Sequence, residues 1–241
     1  MRKTGSIVLV GAGPGDPELL TLKAMKALQT ADVVLHDALV SPEVMRLVAA
    51  SAQLVAVGKK GYGPSCKQTD INAMMIALAG EGKRVIRLKG GDPSIFSRAG
   101  EEIEAAREAG IAVEIIPGIT AAQGAASMLG VPLTHRHHAR RLQFVTGHDH
   151  KGALPEDIDW RSLADDSVTT VVYMAKKTLA VLSASVCAHG LPGNTAAVAV
   201  MDATLPTQRV IRGTITDLPA KLEAANLSGP VLVMIGNVLN S

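Results

Sequence analysis

Short apolar runs bounded by Gly, Asp or Pro recur along the first half of the chain: Ile7–Val10, Val33–Leu35, Leu54–Val57, Val85–Leu88 and Val113–Ile116. Each is short and almost wholly apolar, which suits a strand covered on both faces. Helical spacing fills the gaps between them. Asp16 can cap a first helix, Pro17 suits its first turn, and Leu19, Leu22, Met25 and Leu28 fall on or near one face. A second helix begins near Thr69, turns Ile71, Met74, Met75 and Leu78 inward, and is closed by Gly80 and Gly82. Its methionines read as core filler. Strands alternating with helices predict a mostly parallel sheet covered on both sides.

Between His148 and Trp160 the pattern lapses into Gly, Pro, His and Asp, which reads as a linker or a loop crossing between domains. Beyond it, Thr169–Met174, Ala196–Met201, Arg209–Gly213 and Val231–Ile235 read as strands, with helices at Lys177–Ala188 and Asp217–Ala225. Gln208 to Thr216 is polar at alternate positions, which suits antiparallel pairing with one solvated face, so the second sheet is predicted to be mixed. The fold class is α/β, with two α/β domains placed at 1–140 and 141–241.

Composition narrows the function. A chain of 241 residues, 47% hydrophobic and 19% charged, can bury substantial cores and is not disordered. Lys and Arg number 24 against 22 Asp and Glu, so no polyelectrolyte partner is demanded. One Trp, two Tyr and two Phe leave few platforms for stacked bases, and nucleic acid is not an expected partner. Met1–Ser6 runs straight into the first strand without an export signal, and no apolar run approaches bilayer length. The expectation is a cytoplasmic protein with no membrane partner. Cys66 and Cys187 lack CxxC spacing and are expected as free thiols.

Three glycine-bearing turns carry the chemistry. Gly11-Ala12-Gly13-Pro14-Gly15-Asp16-Pro17 follows a strand, but Asp16 stands where a dinucleotide fingerprint needs its third glycine, which disfavours a nicotinamide oxidoreductase. Arg87-Leu88-Lys89-Gly90-Gly91-Asp92-Pro93 again leaves a strand, and Ile116-Pro117-Gly118-Ile119-Thr120-Ala121-Ala122 leaves the next. An open parallel sheet places such loops along one edge, where ligands bind. There the main chain can meet a polar ligand without an aromatic sandwich.

Together with Asp37-Ala38-Leu39-Val40-Ser41, Pro132-Leu133-Thr134-His135-Arg136 and Val145-Thr146-Gly147-His148, this ordered set resembles the tetrapyrrole methylases, from about Ser6 to Val238. Within that family the likeness is to the members acting on uroporphyrinogen III. The resemblance implies two α/β domains with S-adenosyl-L-methionine held in the cleft between them, and a homodimer. It implies methyl transfer to C2 and then C7 of uroporphyrinogen III, giving precorrin-2. Cofactor contacts carried over are Pro14, Gly90, Gly91, Asp92, Ile95, Thr120, Ala121, Met174 and Ala203. Acid–base roles fall on Asp37 and Lys59, and tetrapyrrole contacts on Arg98, Glu101 and Arg136. His36, Ser94, Ser97, Ala99 and Ala203 depart from the family pattern.

The residues give these roles a physical basis. Asp37 and Lys59 follow neighbouring predicted strands and could reach one sheet edge, Asp37 as proton acceptor and Lys59 as donor or substrate clamp. A substrate with eight carboxylates needs guanidinium forks, which Arg98, Arg136, Arg140 and Arg141 supply. His135, His137, His138, His148 and His150 lack Cys or acidic partners at zinc spacing, and no metal is expected. Another precorrin methylase, or a non-catalytic binder of S-adenosylmethionine or porphyrin, stays as the alternative. No second glycine-rich dehydrogenase unit precedes Met1, so no resemblance to a fused siroheme synthase is expected.

Overall fold

The computed structural model describes residues 5–58, 66–149 and 151–240. The chain divides into two compact units, Met1–Thr120 and Ala121–Ser241.

The first unit contains β1 (Ser6–Gly11), α1 (Leu22–Gln29), β2 (Val33–His36), α2 (Pro42–Met45), β3 (Gln53–Ala56), α3 (Gln68–Gly80), β4 (Arg84–Lys89), α4 (Ala99–Glu108) and β5 (Val113–Ile116). All five strands are parallel, in the order β3-β2-β4-β1-β5. Side chains alternate across the sheet, so Val8, Val10, Ile86 and Leu88 pack under α1 and α2, while Ile7, Leu9 and Val85 pack under α3 and α4. The helices leaving β1 and β4 therefore lie on opposite faces, although the two strands are neighbours. Their carboxyl ends form the crevice where open α/β sheets bind ligands.

The first helix differs from expectation. Asp16 caps only a short 3-10 turn, Pro17–Leu19; Leu20 is extended, and Thr21 caps α1 afresh by accepting from Ala24 N. The restart rotates the apolar face, burying Ala24, Ala27 and Leu28 and leaving Leu22 81% exposed.

The second unit contains α5 (Ala121–Leu129), β6 (Arg141–Thr146), α6 (Trp160–Leu163), β7 (Val168–Tyr173), α7 (Leu179–Ala188), β8 (Ala196–Met201), β9 (Arg209–Thr214), α8 (Leu218–Ala224) and β10 (Val231–Ile235). Its sheet, ordered β6-β7-β10-β8-β9, is mixed, parallel only between β6 and β7. Helix α5 packs Ala122, Ala125 and Ala126 on one face against Val171, Val198 and Met234. The other face takes α7 and α8 through Leu179, Leu182, Leu218 and Leu222.

This packing puts the division after Thr120, not at 140, because the apolar stripe of α5 is buried by the second sheet. It also moves the His148–Trp160 stretch inside the second unit, where Leu154, Ile158 and Trp160 pack against the core as the chain passes from β6 to α6. Cys66 is exposed and Cys187 half-buried, both free. Among the described residues no helix is long and apolar enough to cross a membrane.

Candidate active site

At the carboxyl edge of the first sheet the main chains continue to pair after the strands end. Ala12 N donates to Lys89 O at 2.8 Å, Gly13 N to Gly91 O at 3.2 Å, and Gly91 N to Gly13 O at 2.8 Å. Two parallel strands thus finish in an antiparallel bridge, reached because Gly13 (φ +72°) and Gly91 (φ +68°) adopt left-handed backbone. The third loop closes on this bridge. Gly118 N donates to Asp92 Oδ2 at 2.9 Å, and a Cβ on Gly118 would lie 2.3 Å from Gly91 O and 2.9 Å from Gly11 Cα. The buried Asp92 also accepts from Ser94 N at 2.7 Å and from Ser94 Oγ, so its carboxylate pins its own loop and the next.

Pro14, Gly90 and Gly91 are half-buried on this edge, Ile95 N donates to Asp92 O at 3.2 Å, and Thr120 is buried at the end of the third loop. The structure therefore brings together the first-unit members of the expected cofactor set. Ser41, after β2, supports them from outside by donating its Oγ to Gly15 O at 2.7 Å.

Asp37 follows β2, its main chain donating to Leu88 O at 3.2 Å, and its Oδ1 accepts from Arg87 Nη2 at 2.5 Å. Lys59 lies outside the described residues. Behind Asp37 is a group that sequence reasoning missed. Arg87 and Lys89 point from β4 to the face covered by α3 and α4, where Glu102 accepts from Arg87 Nε and Lys89 Nζ at 2.9 Å each. The side chains of Arg87, Lys89 and Glu102 are 3%, 2% and 0% exposed. Desolvation first, and then the adjacent Arg87 charge, lowers the Lys89 pKa; Glu102 opposes that shift. The overlooked signal was two cations at alternate positions, Arg87 and Lys89, in a strand whose other residues after Arg84 are apolar and buried, a pattern that calls for a buried anion.

Arg98 precedes α4 in left-handed backbone (φ +60°) and grips Glu101 with a fork, Nε to Oε1 at 2.7 Å and Nη2 to Oε2 at 2.8 Å. That hydrogen bonding holds the Glu101 carboxyl below its ordinary range and raises Arg98. Both side chains are exposed beside an open groove of about 270 Å³ lined by Pro93, Phe96, Ile103 and Ile115.

In the second unit β10 runs antiparallel to both β7 and β8, so β6, β7 and β8 all end at one edge. Met174 follows β7 there with φ +61° and 42% exposure. Buried Ala203 follows β8 between Asp202 (φ +52°) and Thr204 (φ +72°), both left-handed. Ala121, opening α5, joins the apolar cluster that contains Ala203. Arg136 is exposed in a turn closed by His135 N to Ala139 O at 2.7 Å and Ala139 N to His135 O at 2.9 Å. Arg141 pairs with Asp165, which engages one of the guanidiniums expected to bind carboxylates. Among the described residues no three His, Cys, Asp or Glu side chains gather to hold a metal.

A family model for tetrapyrrole (corrin/porphyrin) methylases matches residues 6–219. The chain is 50% identical over 236 residues to a siroheme synthase of Nitrosospira multiformis, covering 98% of this chain and 50% of that protein. It spans about half the length of the curated relatives it matches. The expectation of no resemblance to a fused siroheme synthase is thereby corrected: half of such a protein is its counterpart. A uroporphyrin-III C-methyl transferase of Thermus thermophilus, solved with S-adenosylhomocysteine, is 35% identical with a TM-score of 0.83, covering 98% of this chain and 99% of that one. A cobalt precorrin-4 methyltransferase superposes with a TM-score of 0.86 at 26% identity, covering 98% and 96%.

Proposed function

This chain belongs to the tetrapyrrole (corrin/porphyrin) methylases, and from that premise we propose that it transfers methyl groups from S-adenosyl-L-methionine to C2 and then C7 of uroporphyrinogen III, giving precorrin-2. The observation that carries the reading is the main-chain cradle at the first sheet edge. Gly11 and Gly118 lie against each other and against Gly91 O with no room for a Cβ on either, so three loops converge on one another through main chain at the edge where such sheets bind ligands. The fit is to a co-substrate bound through backbone. Pro14, Gly90, Gly91, Asp92, Ile95 and Thr120 are the proposed first-unit contacts, with Ala121, Met174 and Ala203 from the second.

When bound, S-adenosylmethionine supplies an electrophilic sulfonium methyl group. Its thioether leaves without protonation, so the protein's main contribution is orientation, which in favourable cases is worth about 7–11 kcal/mol. Asp37 accepts the proton that the cationic, methylated macrocycle sheds, and Lys59 serves as donor or substrate clamp. Arg98, Glu101 and Arg136 receive the tetrapyrrole. For Arg98 this means exchanging the Glu101 carboxylate for one of the substrate's, a fork-for-fork replacement that leaves no guanidinium unpaired. The protein acts as a homodimer in the cytoplasm.

Fold alone does not choose among tetrapyrrole substrates, since the precorrin-4 enzyme superposes as well as the uroporphyrin-III enzyme. Identity supports the earlier substrate: 35% to the uroporphyrin-III enzyme against 26% to the precorrin-4 enzyme. The test is anaerobic incubation with uroporphyrinogen III and isotopically labelled S-adenosylmethionine, followed by mass analysis of the macrocycle. Gain of two labelled methyl groups is expected. Binding of both ligands without methyl gain would sink the proposal.

A further inference from the structure

A planar cation fills the space behind Asp37, and all three of its nitrogens are committed. Arg87 Nε donates to Glu102 Oε1 at 2.9 Å, Nη1 to the carbonyls of Leu88 at 3.2 Å and Leu35 at 3.4 Å, and Nη2 to Asp37 Oδ1 at 2.5 Å. Glu102, the anchor, lies fully buried between Arg87 and Lys89 and also accepts from Gln68 Nε2 at 3.2 Å. Two cations and two anions cancel, so the group is electrically neutral.

Neutrality does not make the arrangement the most stable available, because a well-packed apolar set on this face would avoid desolvating the charges. What the ions add is direction. A guanidinium held by four acceptors on its three nitrogens has one orientation, and Asp37 Oδ1 is the acceptor at Nη2. The Asp37 side chain is 26% exposed, against 3% for Arg87.

We propose that Arg87 is a positioning residue for Asp37: anchored by Glu102, it holds Oδ1 against the sheet and leaves Oδ2 as the oxygen available to the substrate. This deepens the reading of Asp37 as proton acceptor and rests on it. The proton shed by the methylated macrocycle forms the new O–H bond at Oδ2, and its electron pair stays with the macrocycle. Lysine cannot replace the arginine, since one ammonium has no fork with which to reach Glu102, two carbonyls and Asp37 together.

The test is a double-mutant cycle of Arg87→Lys with Asp37→Asn, and of Arg87→Met with Asp37→Asn, read as kcat and KM for uroporphyrinogen III. S-adenosylhomocysteine affinity and thermal midpoint are measured on each variant. Arg87→Lys keeps the buried charge and guards against Arg87→Met simply failing to fold. Losing a charge-assisted hydrogen bond to the acceptor is expected to lower kcat about ten- to hundredfold, with KM and S-adenosylhomocysteine affinity within about twofold. In the Asp37→Asn background the same change should cost less than about twofold more, because its effect runs through the missing carboxylate. Multiplying losses, or a lowered midpoint with kcat intact, would show a purely structural Arg87 and overturn the proposal. Wild-type kcat in Asp37→Asn alone would remove Asp37 as acceptor and the proposal with it, while methylation by the parent protein still stood. No methylation by the parent protein would instead overturn the function itself.

Discussion

Replacing Gly118 with Ala puts a methyl group where main chain already lies. The new Cβ would sit 2.3 Å from Gly91 O, 2.9 Å from Gly11 Cα and 3.0 Å from Gly11 C, whereas ordinary contact begins at 3.4 Å. None of these atoms belongs to a flexible side chain. Gly91 is held by its bridge to Gly13, and Gly11 ends a central strand paired with β4 and continuous with the β5-paired residues, so the third loop is the part that moves. Its retreat by about 1 Å stretches Gly118 N from Asp92 Oδ2 and costs roughly 1–3 kcal/mol as overpacking. At about 2–4 °C per kcal/mol for a chain of this size, the thermal midpoint falls by roughly 2–12 °C. Displacement of a loop that positions the methyl donor is also expected to slow single-turnover methylation on the order of a hundredfold. Differential scanning calorimetry, S-adenosylhomocysteine titration and rapid-quench methylation measure the three effects. Gly80→Ala is the control, since nothing lies within 4 Å of its Cβ at the end of α3, and it should gain about 0.5–1 kcal/mol. A Gly118→Ala protein with the parent's midpoint, affinity and rate would refute the picture of three main chains in contact.

Ser41→Ala removes both a cap, through Val44 N at 3.2 Å, and a buried donor to Gly15 O, and should destabilise by about 1–3 kcal/mol in urea titration. Arg98→Leu should weaken uroporphyrinogen III binding in equilibrium titrations while sparing S-adenosylhomocysteine; equal loss of both would contradict its assignment. Hydrogen bonds from Lys221, then from Thr214 N, hold the Asp217 carboxyl below its ordinary range. Because the folded value is the lower one, the contribution is present above the unfolded carboxylate range and is lost as pH falls through the folded value. Asp217→Asn should therefore melt earlier than the parent at neutral pH, with the difference closing in strong acid; a pH-independent gap would contradict the linkage.

Local sequence rules worked where each residue's environment followed from its neighbours. The five apolar runs of the first half coincide with β1 to β5, and paired glycines marked the turns that meet at the edge. The same rules failed where a partner lay far along the chain. Arg141–Thr146 carries no clear strand signal, because its alternation is weak and, as an edge strand, it exposes Arg141 and Leu142 and only half-buries the rest. Ala99–Glu108 carries Glu101 and Glu102 side by side, two residues alike in sequence, yet one carboxylate grips an exposed arginine and the other is the buried anchor of β4.

The sequence by itself determined nine of the ten strands among the described residues, where the chain must turn around them, and that three glycine-bearing loops leave one sheet. Apolar periodicity and backbone freedom are local properties, and spacing reports them directly. Only the tertiary structure decided which unit owns α5, how the first helix restarts at Thr21, and that Gly11, Gly91 and Gly118 are in main-chain contact. It alone joined Asp37 to Arg87, and Arg87 to Glu102. Spacing assigns a charged side chain to a face, but the ion that neutralises it comes from another element, and burial makes that choice of partner obligatory.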